Sequence, residues 1–271
     1  MPELPEVETV RRGLTPHLVH HRLLGARVRE RRLRWPVPEN LDALVQDRTL
    51  QALDRRGKYL LMRFDSGTLI CHLGMSGCLR LCPPDQPPDK HEHLDLVLED
   101  GRLLRYRDPR RFGALLWSDA PDRHPLLAPL GVEPLEPAFD GALLYRISRG
   151  RTTAIKALLM DAHLVVGVGN IYANEALFQA GIDPRLAAGR LSRPRCRALA
   201  EAVRDTLTRA IAAGGSTLRD FVDGQGQPGY FQQSYYVYGR AGAPCRRCGG
   251  VIRQVRQNHR SSFLCPTCQK R

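Results

Sequence analysis

Two short stretches of this 271-residue chain carry chemistry in residue type and spacing alone. The first is the opening run Met1-Pro2-Glu3-Leu4-Pro5-Glu6. An initiator methionine is usually trimmed when a small residue follows, and trimming would leave Pro2 with a free secondary amine. Such an amine titrates near ~8, so an appreciable fraction is neutral and nucleophilic at physiological pH. Attack on an aldehyde-like carbon, such as C1′ of a deoxyribose, would yield an iminium that acts as an electron sink. Glu3, one peptide bond away, is placed for acid–base work at the same centre. Position alone favours a plainer reading, a proline that leads a helix, and the rest of the chain reverses that preference.

The second stretch is a pair of CxxC motifs, Cys245 with Cys248 and Cys265 with Cys268, separated by 16 residues. Each pair puts two thiolates on one ion, and the intervening segment has the length of a β-hairpin. In a reducing compartment this spacing means tetrahedral zinc, with a disulfide or redox pair as the competing reading. Four thiolates fill the coordination sphere, so the expected role is structural. Arg253, Arg256, Asn258, His259 and Arg260 lie between the pairs, where a rigid tip presses guanidinium against phosphate. Cys71, Cys78 and Cys82 lack such spacing and read as ordinary thiols, and Cys196 falls on a core stripe.

The elements that must position these residues fall into two halves. Pro5, Glu6 and Glu8 open a first helix, with Val7, Val10 and Leu14 on one side and Arg11 and Arg12 near its end. From about 23 to 117 the pattern changes to short strands, among them 59–64, 68–73, 94–99 and 103–106, with Asp100-Gly101 as a hairpin turn. Close strand spacing with polar turns predicts an antiparallel sandwich or barrel. A proline-bearing stretch over 121–137 reads as the boundary, and after about 151 the chain turns helical. Cys196, Leu199, Ala200, Val203, Leu207 and Ile211 form one helix stripe, capped at Ser192 and stopped at Gly214-Gly215.

Charge narrows the partner. Lys and Arg total 41 against 28 acidic residues, a formal charge of +13. From Gly224 to Arg271 there is no Asp or Glu but eight Arg or Lys, which reads as a nucleic-acid footprint. Lysine occurs only at Lys58, Lys90, Lys156 and Lys270, which lends slight extra weight to Lys58 and Lys156. The N-terminus lacks a signal-like apolar segment and no apolar run approaches the ~20 residues of a membrane span, so a soluble intracellular protein is expected.

With the opening run at one end and the cysteine pairs at the other, the chain resembles the formamidopyrimidine-DNA glycosylase family. The likeness covers essentially the whole length. It includes Arg56-Gly57-Lys58-Tyr59-Leu60, His72-Leu73-Gly74-Met75-Ser76-Gly77, Asp108-Pro109-Arg110-Arg111-Phe112-Gly113 and Gly167-Val168-Gly169-Asn170-Ile171-Tyr172. The resemblance implies an α+β multidomain chain. Its parts would be an N-terminal antiparallel β-sandwich with flanking helices (1–133), a linker (134–150), a helix–two-turn–helix domain with a lesion-covering loop (151–236) and a C-terminal zinc-finger β-hairpin (237–271), with DNA in the cleft between.

It also implies the chemistry: a bifunctional glycosylase and AP lyase of base excision repair that acts on oxidised purines. Pro2 would attack C1′ of an everted nucleotide, Glu3 would protonate the sugar ring oxygen, and β,δ-elimination would follow. Lys58 would hold the phosphate beside the lesion, and Glu3, Lys58 and Arg260 would serve as proton donors. His91, Arg110, Lys156, Asn170 and Arg260 would contact DNA. Met75, Arg110 and Phe112 would fill the gap left by the base, although Met75 and Phe112 read unaided as core residues. Arg110 and Phe112, two apart, would point the same way if their stretch is extended. Gly224, Gly226, Pro228 and Gly229 look like the family's loop over the everted base. One structural zinc, no organic cofactor, a double-stranded DNA partner and a cytoplasmic, nucleoid-associated monomer complete the expectation.

Two rivals remain at this point. Endonuclease VIII-type glycosylases share the architecture and Pro2 but prefer oxidised pyrimidines; Leu4 and the Arg110/Phe112 arrangement favour the purine family. A non-catalytic zinc-finger DNA-binding protein explains charge and cysteines but gives no role to the Pro2–Glu3 pair.

Overall fold

A computed structural model of the chain describes residues 2–216 and 230–271. The residues form two compact units, Met1–Ala128 with Ala213–Tyr230, and Pro129–Ala212 with Phe231–Arg271. Met1 and the glycine-bearing stretch 224–229 lie outside the described residues.

The first unit begins with α1 (Leu4–Leu18), whose N-cap is Glu3 and whose first turn carries Pro5. Glu6 reaches back so that its Oε2 accepts the Glu3 N–H at 2.8 Å, half of a capping box. The helix continues past Arg11 and Arg12 to Leu18, with Pro16 in its last turn. Sequence reading put Arg11 and Arg12 near the helix end; the helix runs on through Pro16, which so close to the end removes only one backbone bond.

Nine strands follow: β1 (Arg22–Val28), β2 (Arg48–Thr49), β3 (Ala52–Arg56), β4 (Tyr59–Phe64), β5 (Gly67–His72), β6 (Cys78–Cys82), β7 (Glu92–Leu98), β8 (Leu103–Arg107) and β9 (Ala114–Ser118). A short helix, α2 (Leu41–Val45), interrupts them. They form two antiparallel sheets, β2-β1-β7-β8-β6 and β3-β4-β5-β9. Leu60, Met62, Leu69 and Cys71 from one sheet and Leu94, Leu96, Leu104 and Tyr106 from the other join Val7, Val10, Leu14 and Leu41 in one core cluster. The sheets are therefore the two layers of a sandwich edged by α1 and α2. Burying each Leu-sized side chain contributes about 1.5–3 kcal/mol. Asp100 and Gly101 do form the β7–β8 turn, in which Gly101 sits at φ 86° and its N–H donates to Leu98 O.

β7 is buried on both faces. Its outer face carries Asp95, bonded by Arg105 at 2.7 Å and Arg29 at 2.6 Å. Glu92 in turn takes Arg105 at 3.1 Å and a short bond from Arg80. Arg105 also donates to the carbonyls of Gln86 and Pro87, so this buried ionic layer clamps the loop that ends at His91. Buried ions are tolerated only when bonded this completely.

The second unit holds α3 (Gly141–Ser148), α4 (Ile155–Leu159), α5 (Asn170–Gln179), α6 (Arg193–Ala212) and the hairpin β10 (Arg253–Gln257)–β11 (Arg260–Leu264). Two turns over 160–169 join α4 to α5, which makes the helix–two-turn–helix arrangement. Every residue from Ile171 to Phe178 is buried, so α5 is the central helix. The stripe expected on α6 is buried, Cys196 and Leu199 completely. The Cys196 N–H donates to Ser192 O, and Gly214 and Gly215 follow the helix at positive φ, as a cap and a stop require. Among the described residues no helix is long and apolar enough to cross a membrane.

Candidate functional site

In the first unit Pro2 and Glu3 are both buried at the head of α1. The carboxylate of Glu6, also buried, holds this head in place. Its Oε2 takes the Glu3 N–H, and its Oε1 takes the Ser216 N–H at 2.8 Å. Gly215 is required here, since its φ is +77° and an added Cβ would lie 3.1 Å from Glu6 Oε1. One turn on, Glu8 accepts from Arg11, Arg12 and Arg55 at 2.8 to 3.2 Å. Burial alone would raise the Glu8 carboxyl, but the bonds from Arg11 and Arg12 and the charges of Arg11 and Arg55 hold it at about 2. Because Arg55 is on β3, this ionised carboxylate ties the helix to the β3–β4 turn, which carries Lys58. Neither Glu6 nor Glu8 was assigned a role from sequence, since each looks like ordinary helix-start acid until its partners are seen.

Lys58 follows Gly57, which sits at φ 57° in that turn. Tyr59, next in line, pairs in register with His72 on β5, and their rings lie 4.8 Å apart. The Gly74 N–H donates to His72 Nδ1 at 3.1 Å, leaving Nε2 to carry the ring proton. Burial first, then the charges of Lys58 and Arg34, lowers the His72 pKa to about 4. His72 is thus a neutral donor flanked by two cations, an arrangement suited to an oxyanion. Sequence reading quoted His72 inside a motif and gave it no role; its pairing to the residue beside Lys58 needed the β4–β5 register.

A pH effect follows. The folded pKa of His72 lies below the unfolded value near 6.5, so between those values the unfolded chain binds the extra proton. Stability is full above about pH 6.5 and falls as pH drops toward 4, by on the order of 2 kcal/mol for a half-buried ring. Thermal melts should show a shallower acid loss in His72→Gln than in the parent. Parallel curves for the two proteins would contradict the assignment.

Met75, Arg110 and Phe112 come together on the same unit, and the two apolar ones are exposed, at 39% and 43%. They are therefore not core residues. The stretch carrying Arg110 and Phe112 is not extended: it turns, with Arg111 at φ 55° and its N–H on Asp108 O. The turn still lays the Arg110 guanidinium over the Phe112 ring at 4.9 Å. His91 sits beside this turn, its carbonyl accepting the Asp108 N–H at 3.0 Å.

In the second unit the four cysteine Sγ atoms lie within 4.8 Å of one another, with Cys245–Cys268 at 3.9 Å and Cys248–Cys265 at 3.5 Å. Zinc–sulfur bonds of ~2.3 Å in a tetrahedron set sulfurs about 3.8 Å apart, so the quartet fits one zinc. The ion would be held by all four and leave no position for substrate. Arg247 N–H donates to Cys245 Sγ, and Gln269 bridges the second knuckle to Ile182 O on the helical side. Between the knuckles Asn258 and His259 form a two-residue turn at φ 47° and 60°, which projects Arg260 at the exposed start of β11.

Lys156 and Asn170 both point at β11. Lys156 Nζ donates to Ser261 O at 2.9 Å and Ser262 Oγ at 2.7 Å, and Asn170 Nδ2 donates to Ser261 O at 3.1 Å. Asn174 adds a bond from Phe263 N–H at 2.7 Å. The helices thus grip the strand immediately after Arg260. Glu175, buried and pushed upward by burial, takes the N–H groups of Tyr236, Val237 and Tyr238.

Three family models match the chain in order. The formamidopyrimidine-DNA glycosylase N-terminal domain matches residues 1–115, that family's H2TH domain 130–222, and the zinc finger found in FPG and IleRS 242–271. The formamidopyrimidine-DNA glycosylase of Stutzerimonas stutzeri is 59% identical over 270 residues, covering 100% of both chains. Among solved structures, a Lactococcus lactis FPG mutant with Fapy-dG-containing DNA superposes with a TM-score of 0.91 at 36% identity, covering 100% of both chains. The Lactococcus lactis Fpg complex with abasic-site DNA also scores 0.91 at 36% identity, covering 99% of this chain and 100% of that one. Sandwich, paired helices, cysteine quartet and sequence identity agree over the full length, and the chain belongs to the formamidopyrimidine-DNA glycosylase family.

Proposed function

We propose that this chain is a bifunctional DNA glycosylase and AP lyase of base excision repair that removes 8-oxoguanine opposite cytosine and formamidopyrimidines. The observation that carries this is the head of α1, where a buried Pro2–Glu3 pair is fastened by Glu6 in a chain of this family. The DNA bound by the Lactococcus lactis relative, holding Fapy-dG or an abasic site, supports it.

Pro2, freed of Met1, attacks C1′; the glycosidic bond breaks, the oxidised base leaves, and Glu3 protonates the sugar ring oxygen. The resulting iminium makes the C2′ hydrogen acidic. Its loss expels the 3′ phosphate, and a second elimination expels the 5′ phosphate, with Glu3, Lys58 and Arg260 supplying protons. Lys58, His72 and Arg34 cradle the phosphate beside the lesion. Met75 and Phe112 fill the gap left by the base, as apolar wedges do, and Arg110 reads the base opposite. His91, Arg260 and the first N–H groups of α5 with Asn170 contact the duplex. Lys156 acts through β11, by fixing Arg260. Zinc supplies the rigidity of the hairpin and no step of the reaction. The three parts 1–133, 151–236 and 237–271, joined by 134–150, divide this work in a monomer without organic cofactor, in the bacterial cytoplasm at the nucleoid.

The test is base release from duplexes carrying 8-oxoguanine:cytosine or thymine glycol. Preferred release of 8-oxoguanine is expected. Glu3→Gln should bind the lesion but lose excision by about 10²–10⁴-fold, because binding needs no proton transfer. Preference for thymine glycol would point to the endonuclease VIII type, and tight binding without release to a non-catalytic protein.

A further inference from the structure

Asp108 has no exposed surface, yet four neutral donors converge on its carboxylate. Oδ1 takes Ser76 Oγ at 2.8 Å and the Arg110 N–H at 3.3 Å; Oδ2 takes the Gly113 N–H at 2.8 Å and Tyr106 Oη at 3.2 Å. Its carbonyl is bonded by His93 Nε2 at 2.8 Å. Ser76 directly follows Met75, and Gly113 directly follows Phe112. Each of the three gap-filling side chains is therefore at, or next to, a residue bonded to this one carboxylate.

The two segments also abut. Gly74 sits at φ +63°, and an added Cβ would lie 2.5 Å from Gly113 N; one on Gly113 would lie 1.8 Å from Tyr106 Oη. Backbones this close leave no slack, so a change in the Asp108 bonds moves both segments. A buried carboxylate is costly unless its lone pairs are filled, and only the observed placement of both segments fills them.

We propose that Asp108 is a positioning residue that locks Met75, Arg110 and Phe112 into one unit, so that filling the gap and reading the opposite base occur together. This rests on the roles proposed above for those three residues. Asp108→Asn keeps size but turns an NH2 group toward one pair of donors, which breaks that arm. In Asp108→Asn, excision of 8-oxoguanine opposite cytosine should fall on the order of 10²-fold, the effect of a ~1 Å misplacement. The cytosine-over-adenine ratio should collapse toward that of Arg110→Ala. Cleavage at a preformed abasic site, where no base is extruded, should fall by less than about 10-fold. Equal losses of excision and abasic cleavage with an intact cytosine-over-adenine ratio would overturn the proposal.

Ser76→Ala removes the arm to Met75 and one of two acceptors of the Arg110 N–H, whose bond to Asp108 Oδ1 at 3.3 Å remains, and it serves if Asp108→Asn fails to fold. It should mimic Met75→Ala in excision while keeping the cytosine preference, and parental excision would overturn the proposal. If Met75→Ala, Arg110→Ala and Phe112→Ala all behave like the parent, the gap-filling roles themselves are wrong, whatever Asp108 does.

Discussion

Borohydride added to this protein on an 8-oxoguanine:cytosine duplex is expected to give one covalent protein–DNA adduct, and peptide mapping to place the link on Pro2. The reasoning is chemical. A secondary amine that has displaced the base is joined to C1′ as an iminium, and borohydride reduces that linkage to a stable amine. Only chains lacking Met1 should react, because an acylated Pro2 nitrogen is an amide without nucleophilic character. Blocking the terminus should lower 8-oxoguanine excision by about 10³-fold or more, the scale on which loss of a covalent nucleophile costs an enzyme. Pro2→Gly should retain part of the activity, since glycine still offers an amine, though a primary one without the proline ring. The buried seat of Pro2 and Glu3 and the Glu6 bond to the Glu3 N–H predict a further result. Added residues before Pro2 should harm catalysis more than duplex binding. An adduct on Lys58, with full activity from a blocked terminus, would overturn the mechanism.

Removal of zinc is the second large effect. One zinc per chain is expected, released when the four thiols are titrated with a mercurial and counted with a chromogenic chelator. Besides the bonds to Lys156, Asn170 and Asn174, the hairpin rests on a small apolar cluster, Val237, Cys245, Ile252, Phe263 and Cys265 against Phe178, and two of these residues are zinc ligands. Structural zinc in such small modules is worth on the order of 10 kcal/mol, as much as burial of the whole cluster supplies. Metal-free protein, or Cys268→Ser, should therefore lose the set position of Arg260 and abolish specific duplex binding. The β-sandwich of the first unit should keep its own strand signal in circular dichroism, since its core contains none of the zinc ligands. Unchanged duplex affinity in metal-free protein would rule this out.

How much of this was legible beforehand depends on how local each feature is. The zinc site was readable because its ligands lie three residues apart within each pair, and the hairpin between them is a local structure. The α6 stripe with Ser192 and Gly214-Gly215 at its ends, the β4 strand and the Asp100-Gly101 turn were readable for the same reason: periodicity and caps act over a few residues. Residue type and position marked Pro2 and Glu3 as candidates, the family resemblance outweighed the plainer reading of Pro2 and added the role of Lys58, and the +13 charge pointed to a polyanion.

Other features came from pairings that no short window contains. Met75 and Phe112 look like core residues until two strand ends bring their turns to the surface. Arg111 at positive φ, not extended backbone, is what stacks Arg110 on Phe112. Lys156 and Asn170 are expected at DNA from the resemblance; that their nitrogens also meet Ser261 and Ser262, 91 to 106 residues away, no short window shows. Glu8, His72 and Asp108 are single acids and a histidine in sequence; burial and partners from distant strands make one an ionised tie, one a neutral donor and one a bracket. Sequence by itself determined which groups could react or bind metal, because that is a property of residue type and short spacing. Tertiary structure decided which charges are buried, which side chains are free to meet DNA and which only hold others in place, because desolvation and hydrogen-bond geometry arise only when remote segments pack.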